Sequence, residues 1–296
     1  MVALLLHSIL LIPPPAADVP DAAALSLRIL DGEGLYTATG GLKPVSDGFW
    51  QTRFPATEDT SAAVETVRRR LATLPLGPDL EAGVLVFAAP FDGRRAASAF
   101  VVHRPALRAL IGRRADVFEP IGVTPETPPQ QVMERIDRAP RAARWRAFGL
   151  AFGYPDHAVE FFVAAGEEQA RTGRFVARDF VHLPTFATDR GRFVYAVPPG
   201  HAERAEDRKL RAAAMSVLDR YRGWRAVYVG DGKAGATALL RAWVAPPVVF
   251  PATRCPATAR RTTQKSPLDT GLRPWHSSRF GRVNLRRNPG VGLDSE

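Results

Sequence analysis

Three of the six histidines in this 296-residue chain, His157, His182 and His201, fall within 45 consecutive positions. Imidazole nitrogens are common ligands of zinc and iron, and several of them with a carboxylate make a workable set for a divalent ion. His157 and Glu160 stand three apart, so on a helix they share a face and can reach one ion. His182 and His201 would complete the set from neighbouring elements. The candidate ligands of a divalent metal, zinc, iron or manganese, are therefore His157, Glu160, His182 and His201, with His157 and Glu160 also able to serve as acid or base groups. No HExxH or HxH spacing is present, so solvated or capping histidines are the plain alternative.

Asp179 is a second candidate. If the stretch 174–186 is one extended strand, Phe175, Ala177, Asp179, Val181 and Leu183 point to the same side. A carboxyl group on an apolar face has a raised pKa unless it is paired, a setting suited to a general acid or base. A structural ion pair or a β-bulge is the competing explanation. The same alternation puts His182 on the opposite side, so the two meet in one site only if the strand is bulged between them.

Other patterns carry less. Gly230-Asp-Gly-Lys-Ala-Gly235 satisfies GxGxxG, whose glycines can let a backbone approach a pyrophosphate at a helix start. The run Ala226–Val229 before it is short, no acidic residue follows at the ribose-binding distance, and Lys233 lacks the adjacent Ser or Thr of a phosphate loop. A glycine-rich turn between helices is the expected role. Neither GxSxG nor SxxK occurs, and a single cysteine, Cys255, can form neither an internal disulfide nor a thiolate metal site. Arg138, Arg141, Arg144 and Arg146 around Trp145 resemble an RNA-contacting stripe, but no RNA-binding signature accompanies them, and one polar helix face with a buried Trp explains them.

The elements that must hold these residues read as α+β: a strand-rich portion, 21–126, then a helix-rich portion with a β-hairpin, 127–244. Leu25–Leu30 and Leu35–Thr39, around Asp31-Gly-Glu-Gly34, suggest a hairpin. Val64, Val67, Leu71 and Leu74 form one helical stripe behind the capping residues Asp59, Thr60 and Ser61. Gly83–Ala88 suits a central strand with Ala97–His103 beside it. Pro105 and Gly112 bracket a short helix, Thr127 and Gln130 suggest a capping box for a helix over 128–138, and 141–152 is helical after Pro140. The helix 156–172, closed by Gly173, puts Val159, Phe162, Val163 and Gly166 on one face and His157, Glu160, Ala164 and Glu168 on the other. Phe161 falls among the polar set, which suggests a covered second face, and thus a partner protein, or else one exposed apolar residue. Stretches 174–186 and 192–197 read as a hairpin, and 203–222 as a helix closed by Gly223.

The formal charge of +10 would ordinarily suggest a polyanionic partner. From Ala245 onward nine basic residues face three acidic ones, leaving only +4 for the rest, and just four of forty basic residues are Lys. Arg in place of Lys, with abundant Ala and Pro, fits coding bias in a GC-rich genome, so nucleic acid is not the expected partner. The Pro/Arg-rich tail, 245–296, lacks an apolar period and reads as disordered. At the other end, within a segment 1–20, the apolar run Val2–Ile12 precedes Pro13–Ala17 like a signal peptide, yet has no basic residue before it and is shorter than the ~20 residues of a membrane span. Cytoplasmic residence is the primary expectation, export the alternative; one cysteine suits either. The function these residues suggest is a metal-assisted enzyme with its site within 156–201; a non-catalytic binding protein working through the Phe161 face is the alternative.

Overall fold

The two apolar runs flanking Asp31–Gly34 are helices, not the strands of a hairpin. In the computed structural model, which describes residues 19–189 and 193–245, α1 (Ala22–Asp31) is capped by Asp21, whose carboxylate accepts the Ala24 N–H at 2.7 Å, and α2 (Gly34–Ala38) follows directly. Leu25, Ile29 and Leu30, all fully buried, recur with helical and not alternating period, and the alanines before them favour helix.

A three-stranded antiparallel sheet comes next, in the order β1 (Val45–Pro55), β3 (Arg94–His103), β2 (Leu80–Val86). The centre is thus β3, not the 83–88 run. Its alternation explains the layering: Ala97, Ala99 and Val101 belong to one core and Phe100 and Val102 to the other, so the strand is buried on both faces. Between β1 and β2, α3 (Ala62–Ala72) starts at Ser61, whose hydroxyl accepts the Val64 N–H, and buries Val64, Val67 and Leu71 as their spacing requires.

After β3 the chain is helical: α4 (Arg104–Arg113), α5 (Ala115–Phe118), a 3-10 turn at Glu119–Ile121, α6 (Pro129–Arg138), α7 (Arg141–Ala151) and α8 (Asp156–Thr172). His103 caps α4, its Nδ1 accepting the Ala106 N–H at 3.2 Å. The expected capping box of α6 does not form. Thr127 Oγ1 accepts the Thr124 N–H instead, and the Gln130 amide donates to the Val84 carbonyl and to Glu134. Gly173 ends α8 with φ 72°, where a Cβ would be strained.

The hairpin is present, shorter than expected, as β4 (Asp179–Leu183) against β5 (Phe193–Val197). Two helices finish the described chain, α9 (Ala205–Tyr228) and α10 (Ala236–Val244). Helix α9 runs five residues past Gly223. Tyr221 and Arg225 are both fastened to Asp31 of α1, and these contacts on either side of the glycine outweigh its cost of ~1 kcal/mol within a helix.

One core lies between the sheet and α1, α3, the hairpin, α9 and α10; the other lies between the opposite sheet face and α4–α8. Helix α8 contributes Ala158 to the first and Val159 to the second. The result is a mixed α+β fold whose described residues belong to one compact unit. No helix among them is long and apolar enough to cross a membrane. The apolar run 2–12 and the tail with Cys255 lie outside the described residues, apart from Ala245.

Candidate metal centre

Helix α9 begins after Arg204, and its third residue, Asp207, turns back so that Oδ2 accepts the Arg204 N–H at 2.8 Å. That return bond is the acidic half of a capping box, and it leaves a carboxylate with no solvent exposure. Strand β5 brings Tyr195, whose hydroxyl donates to Asp207 Oδ1 at 2.6 Å. The turn 198–201, closed by the His201 N–H on the Pro198 carbonyl, brings His201, with Nε2 2.9 Å from Oδ2. The first turn of α8 brings His157, with Nε2 3.3 Å from Oδ1. The two imidazoles stack, centroids 5.2 Å apart at 14°, and each side chain is only 8% exposed.

Burial alone would raise the pKa of Asp207. The hydrogen bonds from Tyr195, His201 and the Arg204 N–H, with the nearby His157, outweigh it and hold the carboxyl at about 2. Burial and the bond to Asp207 push the Tyr195 hydroxyl far up, so it stays a donor.

His157 Nδ1 lies 3.4 Å from Glu206 Oε2 and Nε2 lies 3.3 Å from Asp207 Oδ1, so both ring nitrogens face carboxylate oxygens. That Nε2 is buried and has no hydrogen-bond partner. It faces the Asp207 carboxylate at 3.3 Å, a gap that a proton or a cation can bridge. Two ligands at ~2 Å from a tetrahedral ion stand ~3.3 Å apart. One nitrogen of each histidine and one oxygen of Asp207 lie within 4.8 Å of one another, close enough that small side-chain shifts would let them share one ion.

Of the residues singled out from the sequence, the structure brings together His157 and His201. Glu160 shares the helix face with His157, but its carboxylate is turned to Arg146, which it grips through two bonds of 2.8 Å; that guanidinium holds its pKa below the usual carboxylate range. His182 is exposed on the hairpin, opposite Val194 of β5, and its backbone carbonyl accepts from Arg211 at 3.2 Å. Asp179 is exposed as well, which removes the premise of a carboxyl held on a buried apolar face. It accepts the Gly200 N–H at 2.8 Å and so pins the turn that carries His201.

Sequence reasoning missed Asp207, Tyr195 and Glu206. The available signal was an acid at the third position of α9, six residues after His201, which reads first as complement to the helix dipole. The loop Gly230–Gly235 joins two helices with no strand before it; Lys233 donates to the Ala226 carbonyl, and the Gly235 N–H to that of Tyr228 at 2.8 Å. It is a turn, not a dinucleotide loop. Most of the arginine stripe is engaged within the protein as well: Arg144 donates to the Asp137 carbonyl, Arg146 grips Glu160, and Arg141 lies over the Trp145 ring, while Arg138 stands 3.6 Å from Glu134 and stays exposed. No protein-family model, no curated protein and no solved structure matches this chain.

Proposed function

We propose that the chain is a metal-assisted enzyme, with a divalent first-row ion held by His157 Nε2, His201 Nε2 and a carboxylate oxygen of Asp207. The supporting observation is the buried, unpartnered Nε2 of His157 facing Asp207 Oδ1 at 3.3 Å. Two imidazoles and a carboxylate suit zinc, iron or manganese. Structural zinc sites are closed by four ligands, commonly cysteines, whereas three protein ligands leave a position open, the pattern of catalytic sites. When bound, such an ion polarises a substrate oxygen or acidifies a bound water.

The protein's own residues have defined tasks in this reading. Glu206 faces His157 Nδ1, Tyr195 holds Oδ1 in place, and Asp207 accepts the Arg204 N–H while presenting its carboxylate to both rings. Supporting partners of this kind orient metal ligands and raise their basicity. His201, whose Nε2 lies 2.9 Å from Asp207 Oδ2, would bind the ion through that nitrogen with the ring proton on Nδ1.

Elemental analysis of the purified full-length chain, beside His157→Phe, tests this. Phe keeps the ring stacking and volume but offers no ligand. The expected result is near-stoichiometric zinc, iron or manganese in the parent and none in the variant, with the fold retained. A metal-free parent that also fails to take up zinc saturably at neutral pH overturns the proposal. Attention then passes to the binding reading, for which the half-buried Phe161 matters less than Phe175 and Phe180, exposed at 60% and 47%.

A further inference from the structure

Apart from the histidine cluster, three arginines on three elements line one cavity of about 310 Å3, together with Asp59 and Glu134: Arg68 of α3, Arg95 of β3 and Arg138 at the end of α6. Their carboxylate partners neutralise them poorly. Arg68 meets Glu65 at 2.8 Å one helical turn away, but both are about two-fifths exposed. Arg138 stands 3.6 Å from Glu134, which also holds the Gln130 amide. Arg95 reaches Asp59 only at 3.8 Å, and Asp59 is fully exposed, so water screens that attraction heavily. Arg95 Nε is buried with no hydrogen-bond partner at all.

Three guanidinium groups that line one cavity, none with a short, buried carboxylate partner, suit an oxyanion. A guanidinium presents a rigid fork matched to phosphate and carboxylate oxygens. A planar carboxylate is satisfied by one fork, whereas three forks arriving from different elements suit a tetrahedral dianion. A cavity of this volume also leaves room beyond the phosphate for a small organic group. We propose that this cavity binds the phosphate group of a small phosphomonoester, with Arg95 as the central anchor and Arg68 and Arg138 flanking it. The proposal is independent of the metal reading.

The test is calorimetric titration of the full-length, chelator-treated chain with inorganic phosphate and phenyl phosphate, with acetate in parallel, at constant ionic strength. Chelation removes any phosphate binding through a metal. Saturable binding of both phosphates, weakened at least about tenfold in Arg95→Gln, is the expected result. Arg138→Gln, at a side chain 63% exposed and so safe for the fold, should weaken it in the same direction; it carries the test if Arg95→Gln does not fold. Arg28→Gln, at an exposed arginine of α1, should leave it unchanged. Absence of saturable heat, equal binding of acetate, or equal weakening by Arg28→Gln overturns the proposal.

Discussion

Two carboxylates in this molecule receive a tyrosine hydroxyl at the same distance, and helix α9 takes part in both. Asp31, at the end of α1, accepts Tyr221 at 2.6 Å and the fork of Arg225 at 2.7 and 3.0 Å. Asp207 accepts Tyr195 at 2.6 Å, but its other side-chain neighbours are two imidazoles, one with an unpartnered buried nitrogen. The guanidinium is a permanent cation whose planar fork matches the carboxylate, so the Asp31 group is closed. Imidazoles can yield a proton and offer a lone pair, so the Asp207 group has room for a ligand. Burial and a carboxylate partner push both tyrosines up alike; the difference in role comes from what stands opposite the tyrosine.

The largest expected effect tests the closed side. Arg225→Ala removes the fork and leaves Asp31 with Tyr221 alone, in a pair whose side chains are only 25% and 19% exposed. A loss of about 2 kcal/mol in urea unfolding is expected. In the chelator-treated protein, His157→Phe should cost under about 1 kcal/mol, since the Nε2 it deletes makes no hydrogen bond and the Nδ1 contact, at 3.4 Å, is to an exposed Glu206. Equal losses in the two variants would break the comparison and make His157 a structural imidazolium.

The same contrast explains what could be read from the sequence. Stripes such as Val64, Val67 and Leu71, the Gly173 stop and a hairpin, shortened to 179–183 and 193–197, are local signals, and all are present in the fold. Leu25–Leu30 was legible only with the choice of period, since a six-residue apolar run satisfies strand and helix alike. Helix α9 passes Gly223 because Asp31 holds it from 190 residues away, and no window of sequence contains that bond. The site divides likewise. His157 and His201 stand out by residue type. Asp207 does not, because acids at helix starts are common, and only the packing of β5 against α9 places Tyr195 on it.

Next in size is the pH dependence of the Asp207 group. A carboxyl lowered from 3.8 to about 2 in the folded state contributes stability that is complete above pH 3.8 and is lost as pH falls through 2. The contribution is about 2 kcal/mol. Between pH 4 and pH 2 the parent should therefore lose about that much more stability than Asp207→Asn, followed by chemical unfolding at each pH. Parallel curves would mean that the hydrogen bonds to Asp207 do not distinguish its charged form.

The smallest effect separates sharing a helix face from sharing a site. His157 and Glu160 do lie one turn apart on α8, as their spacing requires, but a side chain's direction is decided by the partner it finds. Arg146 of α7 takes both oxygens of Glu160 at a surface where the two side chains are 32% and 52% exposed. Pairs so exposed contribute under about 1 kcal/mol, so Glu160→Gln should barely move the unfolding midpoint. It should also leave the metal content unchanged, because the carboxylate facing His157 Nε2 comes from Asp207 and not from its own helix. Loss of metal in Glu160→Gln would return Glu160 to the ligand set and require Arg146 to release it on binding.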